Sequence, residues 1–333
     1  MTMRAVTIET FGSYENGRIA ELDVPKPNRG EVVIEVHAVP VNYVDLVVAA
    51  GKYQFAPPLP YTPGKGPAGK IVALGEGVER LYVGDRVLAM AETGGYAQFA
   101  RARQEDCFRL PDRMPYSHAA AMSLAYDTAW FALRDRAQIA PGETMLALGA
   151  SGAVGRACLQ LGKAMGARTI ATVSSLARVS AVQGAADAIV DLSVDNLRDS
   201  FRDQVFAATD GKGADVVIDM LGGDIFDAAI RAVAWRGRVV IVGFAAGRIP
   251  TLKVNYLMLK NIAISGLQVS DYRKRRPDMM IECYNEVFGM YDAGKIDPGP
   301  IRELPLDDFK MALSALEKRE TTDRLVLLPQ DGR

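Results

Sequence analysis

Hydrophobic and polar residues alternate with a period near two through the first third of the chain. The segments VTI, EVVIEVHAV (31–39), KIVAL (70–74) and DRVLAM (85–90) each read as half-buried strands. Turn residues separate them at Pro25 to Gly30, Gly75-Glu76-Gly77 and Gly94-Gly95. A compact, antiparallel, barrel-like β module is expected up to about Met122. From Ser123 the period lengthens to about 3.6, predicting a helix over 123–135 and then alternating strands and helices. The strands are TMLAL (144–148), ARTIATV, ADAIVD, ADVVIDM (214–220) and RVVIVG (238–243), with IAISGLQ from Ile262 as a sixth. Continuous apolar runs of this kind suit parallel strands covered on both faces. The tail carries helical patterns over 281–292 and 306–319, then an isolated strand, RLVLL, over 324–328.

The junction after the first apolar run holds candidate chemistry. Ala150, Gly152 and Gly155 stand at the spacing of a dinucleotide fingerprint with alanine first. Val154, Cys158, Leu161 and Met165 then form one helical stripe that Gly166 is placed to end. In the nucleotide reading Ala150 makes the tight turn, Gly152 lets backbone approach a diphosphate, and Gly155 lets helix pack on strand. Ser151, Ala153 and Val154 complete a cradle whose N–H groups face the anion. Spacing alone leaves an ordinary strand-turn-helix corner open as the alternative.

Composition narrows the setting. The 333 residues favour two domains. A content of 49% hydrophobic and 24% charged residues with a net charge of −1 fits a soluble enzyme and disfavours a nucleic-acid or membrane surface. Cys107, Cys158 and Cys283 are far apart and form no C-x-x-C pair, which disfavours a disulfide framework or a cysteine zinc site and suits a reducing cytoplasm. MTMRAVTIE has no signal-like apolar region, and no run of 18 apolar residues follows, so neither secretion nor membrane spanning is expected.

The end of the second nucleotide-domain strand usually reads the ribose, with an acid for NAD and cationic or hydroxyl groups for NADP. Here it reads TVSSLAR, with no acid. Ser174 and Ser175 can donate to a 2′-phosphate and Arg178 can clamp it, which makes NADPH the expected cofactor. The alternative is that the serines cap the next helix and Arg178 is solvated.

The chain resembles the zinc-independent quinone oxidoreductase branch of the medium-chain dehydrogenase/reductase superfamily over nearly its whole length. The matching pieces, in family order, are VNYVDLVVAAGKY (41–53), PYTPGKGPAG (60–69), VGDRV (83–87), GGYAQFA (94–100), DTAW (127–130), LGASGAVG, VVIDMLGG (216–223) and GRVVIVG. The resemblance implies an α/β architecture: a GroES-like β-barrel catalytic domain of residues 1–122 and 271–333 around a Rossmann NADPH-binding domain, a doubly wound parallel sheet, of residues 123–270. The last strand would return to the first domain. Zinc-dependent relatives place cysteine where Asn42 stands, a His-Glu pair at Lys65-Gly66 and another cysteine near Leu124, and none of these residues holds zinc. The structural-zinc cysteine block is also missing. His37 and His118 lack clustered partners and read as structural or surface residues.

Without a Lewis acid, the implied reaction is hydride addition to a quinone or the activated C=C bond of an α,β-unsaturated carbonyl compound. By resemblance Asn42, Asp45 and Tyr53 line the cleft, and Tyr53 matches a tyrosine proposed as proton donor in related enoyl reductases. Each has a plainer alternative: Asn42 and Asp45 as loop organisers, Tyr53 and Tyr43 as pocket lining. Thr128 matches a threonine beside the nicotinamide or caps a turn; Gly243, Phe244, Gly266 and Leu267 match positions that wrap nicotinamide and ribose. Asn255, Lys260 and Arg324 are possible diphosphate or ribose contacts. Departures fall at Gly66, where the family often has an acid, at Asp323, where it has glycine, and in a shortened 178–184 segment. The run Tyr272-Arg273-Lys274-Arg275-Arg276 either binds an acyl-CoA phosphate or is a solvated helix entry. A homodimer through the edge strand NIAISGLQV is implied by the family. An enoyl-thioester reductase and a non-enzymatic NADPH-binding sensor or structural protein are the alternative functions.

Overall fold

The computed structural model describes residues 1–331 and divides into two compact units, residues 1–124 with the tail from Pro298, and residues 125–297. The first unit begins with β1 (Thr2–Ile8), β2 (Gly17–Asp23), β3 (Glu31–Pro40), α1 (Tyr43–Ala49), β4 (Ala68–Leu74), β5 (Arg86–Ala89), β6 (Phe99–Arg103), β7 (Cys107–Arg109) and α2 (Tyr116–Met122). The second holds α3 (Ala125–Trp130), β8 (Thr144–Leu148), α4 (Ala153–Ala164), β9 (Arg168–Val173), β10 (Ala188–Asp191), α5 (Leu197–Ala208), β11 (Ala214–Asp219), α6 (Gly223–Ala229), β12 (Val233–Ile241), α7 (Asn255–Lys260), β13 (Ala263–Gly266), α8 (Val269–Arg275) and α9 (Pro277–Asp292). The tail then adds β14 (Ile301–Pro305), α10 (Phe309–Glu317) and β15 (Arg324–Leu328) to the first unit.

In the first unit β3 is the organising strand. It pairs antiparallel with β4, β6 and β15 in a seven-stranded sheet, and β1 and β2 form a separate pair. Val32 and Ile34 pack with Ile71, Leu81 and Val87, while Val36 and Val39 pack with Tyr96, Leu306, Phe309 and Leu327. Burial of these side chains supplies most of the driving force, at about 25 cal/mol per Å² of apolar area. The isolated terminal strand thus has its partner: Val326 and Leu327 face Pro40 and Val39. Only β14 and β15 run parallel in this otherwise antiparallel GroES-like sheet.

The second unit is a Rossmann sheet with all neighbours parallel, in the order β10-β9-β8-β11-β12-β13. The order reverses between β8 and β11, the switch point at which such sheets bind ligands beyond their strand C-termini. Val190, Ile170, Leu146, Val217 and Val239 are buried across five strands, as their apolar runs require.

Two boundaries differ from the sequence expectation. The single helix expected over 123–135 is broken, because Ser123 is extended and Leu124 has φ +54°; α2 ends before the break, and α3 continues as a π-helical turn through Ala137. Residues 271–297, expected in the first domain, belong to the second unit. Their partners explain the shift: Arg273 Nη2 lies 3.1 Å from Asp127 Oδ2, Trp130 Nε1 donates to Glu286 at 2.9 Å, and Cys283, Tyr284 and Val287 are buried. Among the described residues no helix is long and apolar enough to cross a membrane.

Candidate functional site

In the second unit the turn after β8 is pinned to the neighbouring strand. Gly149 N–H donates to Thr172 Oγ1 at 2.9 Å and Ala150 N–H to Thr172 O at 3.2 Å. The left-handed residue of the turn is Gly149, at φ +81°, and not Ala150, which the spacing assigned to it; Ala150 is buried beneath. A Cβ on Gly155 would lie 2.4 Å from Gly149 O and 2.6 Å from Ala150 Cα, so helix and turn touch there backbone to backbone. A Cβ on Gly152 would meet nothing nearer than Gly149 O at 3.4 Å. Gly155 is closed by packing; Gly152 is open.

Helix α4 begins beyond Gly152, and its first intrahelical bond is Arg156 N–H to Gly152 O. The N–H groups of Ala153, Val154 and Gly155 precede that bond and carry the positive end of the helix dipole. Ser151 lies in the turn itself. This cradle fits a diphosphate.

Thr172 leads directly into Ser174, Ser175 and Arg178, so all three follow the strand that holds the glycine turn. Ser174 is exposed. Ser175 occupies the N-cap of a short 3-10 turn over 176–181, but its hydroxyl makes no capping hydrogen bond. The partly buried Arg178 belongs to the same turn, tied by its N–H to Ser175 O at 3.0 Å.

Gly243, Phe244, Gly266 and Leu267 follow or close β12 and β13 at the same, C-terminal edge of the sheet. Val242 N–H donates to Asp219 O at 2.7 Å, and Leu267 N–H to Ile241 O at 2.9 Å. A Cβ on Gly266 would meet nothing within 4 Å, and Phe244 is largely exposed. Asp219, which the sequence reading did not single out, ends β11. Its Oδ1 accepts from Leu221 and Gly222 N–H at 2.8 and 2.9 Å, and burial raises its carboxyl above the usual range.

Other candidates are engaged elsewhere. Thr128 Oγ1 and N–H both donate to Asp127 Oδ1, whose second oxygen accepts from Arg273. Lys260 Nζ donates to the carbonyls of Arg231 and Val233 at 2.6 and 3.0 Å, the role of a backbone cap. Asn255 is an exposed residue opening α7. Within the basic run, Arg273 is buried against Asp127, Tyr272 hydroxyl pairs with Asp135, and Arg276 with Asp278 at 2.7 Å.

The first unit gathers a second group of polar residues. Asn42 precedes α1, and Asp45 Oδ2 accepts from Asn42 N–H at 2.9 Å and from the Tyr96 hydroxyl at 3.1 Å. These are the contacts of a loop organiser. Burial pushes the Asp45 carboxyl up to about 6, against the opposing pull of the Asn42 N–H, Lys65, Tyr96 and Arg324. Burial and the Asp45 charge raise the Tyr96 hydroxyl well above its ordinary value. Arg324 is likewise buried in this unit, where its Nη2 donates to Asn42 Oδ1 and its Nε to Ala121 O, each at 3.1 Å. Asn42 Nδ2 is buried with no hydrogen-bond partner among the described residues.

Tyr53 is partly buried, edge-on to Phe55 at 6.0 Å, with Lys65 Nζ 4.7 Å from its ring centroid. Lys65 also pairs with Glu92. Tyr43 is exposed. At Gly66, φ is +70° and a Cβ would lie 2.5 Å from Ser123 Oγ, so a side chain has no room there. His37 stacks on Tyr116 at 4.6 Å. The three cysteines are free and buried, and burial pushes the Cys158 thiol up to about 12. Among the described residues no group of three or more His, Cys, Asp or Glu side chains is placed to hold a metal ion. Lys65, which the sequence reading did not offer as a binding residue, stands between two glycines in a proline- and glycine-rich stretch.

Residues 28–112 match the family described as alcohol dehydrogenase GroES-like domain, and residues 153–286 that described as zinc-binding dehydrogenase. A quinone oxidoreductase-like protein 2 homolog of Nematostella vectensis is 32% identical over 301 residues, 89% of this chain and 81% of that protein. The structure of a quinone oxidoreductase from Pseudomonas syringae superposes with a TM-score of 0.90 at 29% identity, over 98% of this chain and 100% of the other. That of an Escherichia coli quinone oxidoreductase complexed with NADPH gives 0.87 at 26%, again over 98% and 100%.

Proposed function

The chain belongs to the quinone oxidoreductase branch of the medium-chain dehydrogenase/reductase superfamily, and from that membership we propose that it is an NADPH-dependent reductase of quinones or α,β-unsaturated carbonyl compounds, working without metal. The observation that carries this reading is the open glycine turn beside Ser174, Ser175 and Arg178, with no carboxylate among them. An acid there would bind a ribose 2′-OH and repel a 2′-phosphate; two hydroxyls and a guanidinium do the reverse. Gly152 and the N–H groups of Ala153, Val154 and Gly155 would hold the diphosphate, with Gly243, Phe244, Gly266 and Leu267 further along the same sheet edge. When bound, the cofactor supplies hydride.

The acceptor-side groups come from the first unit. Asn42 has a buried amide donor to spare, Tyr53 offers a phenol as proton donor or wall, and Asp45 holds the Asn42 backbone in place. By the family resemblance Asn42, Lys65 and Gly66 stand at zinc-ligand positions, with a further one near Leu124, and residues of these types are poor ligands, which supports the metal-free reading. Within the basic run, the pairing of Arg273 with Asp127 and of Arg276 with Asp278 takes two cations away from an acyl-CoA phosphate.

NADPH and NADH oxidation measured across quinones, enones and enoyl-CoAs tests the proposal. Turnover with NADPH and either of the first two classes is expected; NADPH binding without turnover on any acceptor would replace it with the sensor reading. A homodimer through β13 is part of the same proposal. That strand is the sheet edge, and Trp235, Val254, Met258 and Leu259 are exposed on β12 and around α7. A one-subunit mass in solution would overturn it.

A further inference from the structure

Lys65 is the only lysine buried among the described residues, at 4% exposure. An ammonium taken out of water loses several kcal/mol of hydration unless charge and hydrogen bonds replace it. Its replacements are lopsided. The Glu92 carboxylate lies at the surface, with 41% of its side chain exposed, and the other neighbour is the π face of Tyr53. A surface ion pair needs neither a buried lysine nor an aromatic face beneath it. The buried cation also acts electrostatically on the Asp45 carboxyl, in the same unit as the unpartnered Asn42 amide.

Other donors of the group are less suited to receiving charge. The Arg324 guanidinium is engaged by Asn42 and Ala121, and the Tyr96 hydroxyl by Asp45. An ammonium has three N–H donors, so contact with one carboxylate and one ring face leaves donor capacity in hand. The ring face also favours the cationic form by cation–π attraction.

We propose that Lys65 is the electrophilic group of the acceptor site, donating a hydrogen bond from Nζ to the carbonyl oxygen of an enone or quinone. The role rests on the reductase reading. Hydride adds to the acceptor, the π electrons move onto its oxygen, and the Lys65 ammonium bonds that oxygen more strongly as negative charge grows. The Tyr53 phenol or water then supplies the proton that completes the two-electron reduction. A fixed cation then meets the developing charge, and the preferred substrates are acceptors that place negative charge on one carbonyl oxygen.

The test compares K65M, K65Q, K65R and E92Q with wild type, reading enone and quinone turnover, NADPH affinity by fluorescence titration, and melting temperature. Removing one preorganised donor to a developing oxyanion costs about 100-fold in kcat, so K65M and K65Q are expected to lose about that much on weakly electrophilic enones, and less on strongly oxidising quinones, with NADPH affinity unchanged. K65R, which keeps the charge, recovers to within about 10-fold. E92Q breaks the same ion pair but leaves the cation, and stays within about threefold of wild type. Full enone turnover in a folded K65M or K65Q overturns the role, as does a loss in E92Q equal to theirs, which would make the pair structural. A wild-type protein inert on every acceptor overturns the reductase reading itself, and the Lys65 role with it; an active wild type with indifferent Lys65 variants overturns the latter alone.

Discussion

Arg324 Nη2 lies 3.1 Å from Asn42 Oδ1, joining the last strand to the start of the first helix across 282 positions of sequence. A guanidinium only donates, so the contact fixes which end of the amide is oxygen and leaves Nδ2 as the buried, unpartnered donor. N42D keeps an acceptor for Arg324 and removes the donor. It is expected to melt near the wild-type temperature while losing about 10- to 100-fold in acceptor turnover, the value of a hydrogen bond to a charged oxygen, about 1.5–3 kcal/mol. Thermal unfolding alongside steady-state kinetics separates the two effects, and unchanged turnover would remove Asn42 from the acceptor site.

Asp45 gives the first unit a pH dependence of definite sign. Its carboxyl is pushed up to about 6 in the fold by burial, against an ordinary value near 3.9 in an unfolded chain. Well below pH 4 the group is protonated in both states and costs nothing. As pH rises through about 6 the folded protein must hold a buried carboxylate, and about 3 kcal/mol of stability is lost through this group. D45N abolishes that step. Chemical denaturation at several pH values should therefore show the difference in stability, D45N minus wild type, rising between pH 4 and 6 and flat above; a difference independent of pH would contradict the assignment.

The turn after β9 predicts cofactor choice. S174D places a carboxylate where Ser174 now stands, and R178A removes the guanidinium from the same turn. A charge-assisted hydrogen bond to phosphate is worth about 1.5–3 kcal/mol, so the double variant is expected to weaken NADPH by about 10- to 100-fold and to improve NADH. Titration of both cofactors checks this, and retained NADPH preference would move the 2′-phosphate contact to other residues.

What the sequence revealed and what it hid follow from the range of the interactions. The Rossmann strands were legible because each is a local apolar run, and RLVLL could be assigned to the first domain through resemblance. Helix α1 was not recognised, because VNYVDLVVA is apolar enough to read as a strand and its start depends on Asp45 reaching back to the Asn42 N–H. The placement of 271–297 was hidden for another reason: it turns on Arg273 meeting Asp127 across 146 positions, and both residues look like surface charges in sequence. Lys65 does not stand out in sequence because its burial, and its contacts with Glu92 and Tyr53, exist only in three dimensions. At the glycine turn the fingerprint marks the strand-to-helix corner, but it assigns the bend to Ala150 when the adjacent Gly149 supplies the positive φ.

Gly152 and Gly155 lie three residues apart, yet substitution should affect them through different physics. An alanine Cβ at 155 would sit 2.4 Å from Gly149 O, a distance no real contact reaches, and the obstacle is backbone that cannot step aside. G155A must therefore separate α4 from the β8 turn, at a cost of about 3 kcal/mol or more as overpacking against backbone. An alanine Cβ at 152 meets its nearest atom at 3.4 Å, and Gly152 has φ −78° and ψ 169°, which any residue adopts. G152A should fold with little change in melting temperature and lose NADPH affinity, because the methyl group occupies the approach to the first helical N–H groups. Equilibrium unfolding and cofactor titration of the two variants distinguish the roles. Equal destabilisation by both would mean that the turn is packed throughout and that its outer face is not the diphosphate cradle.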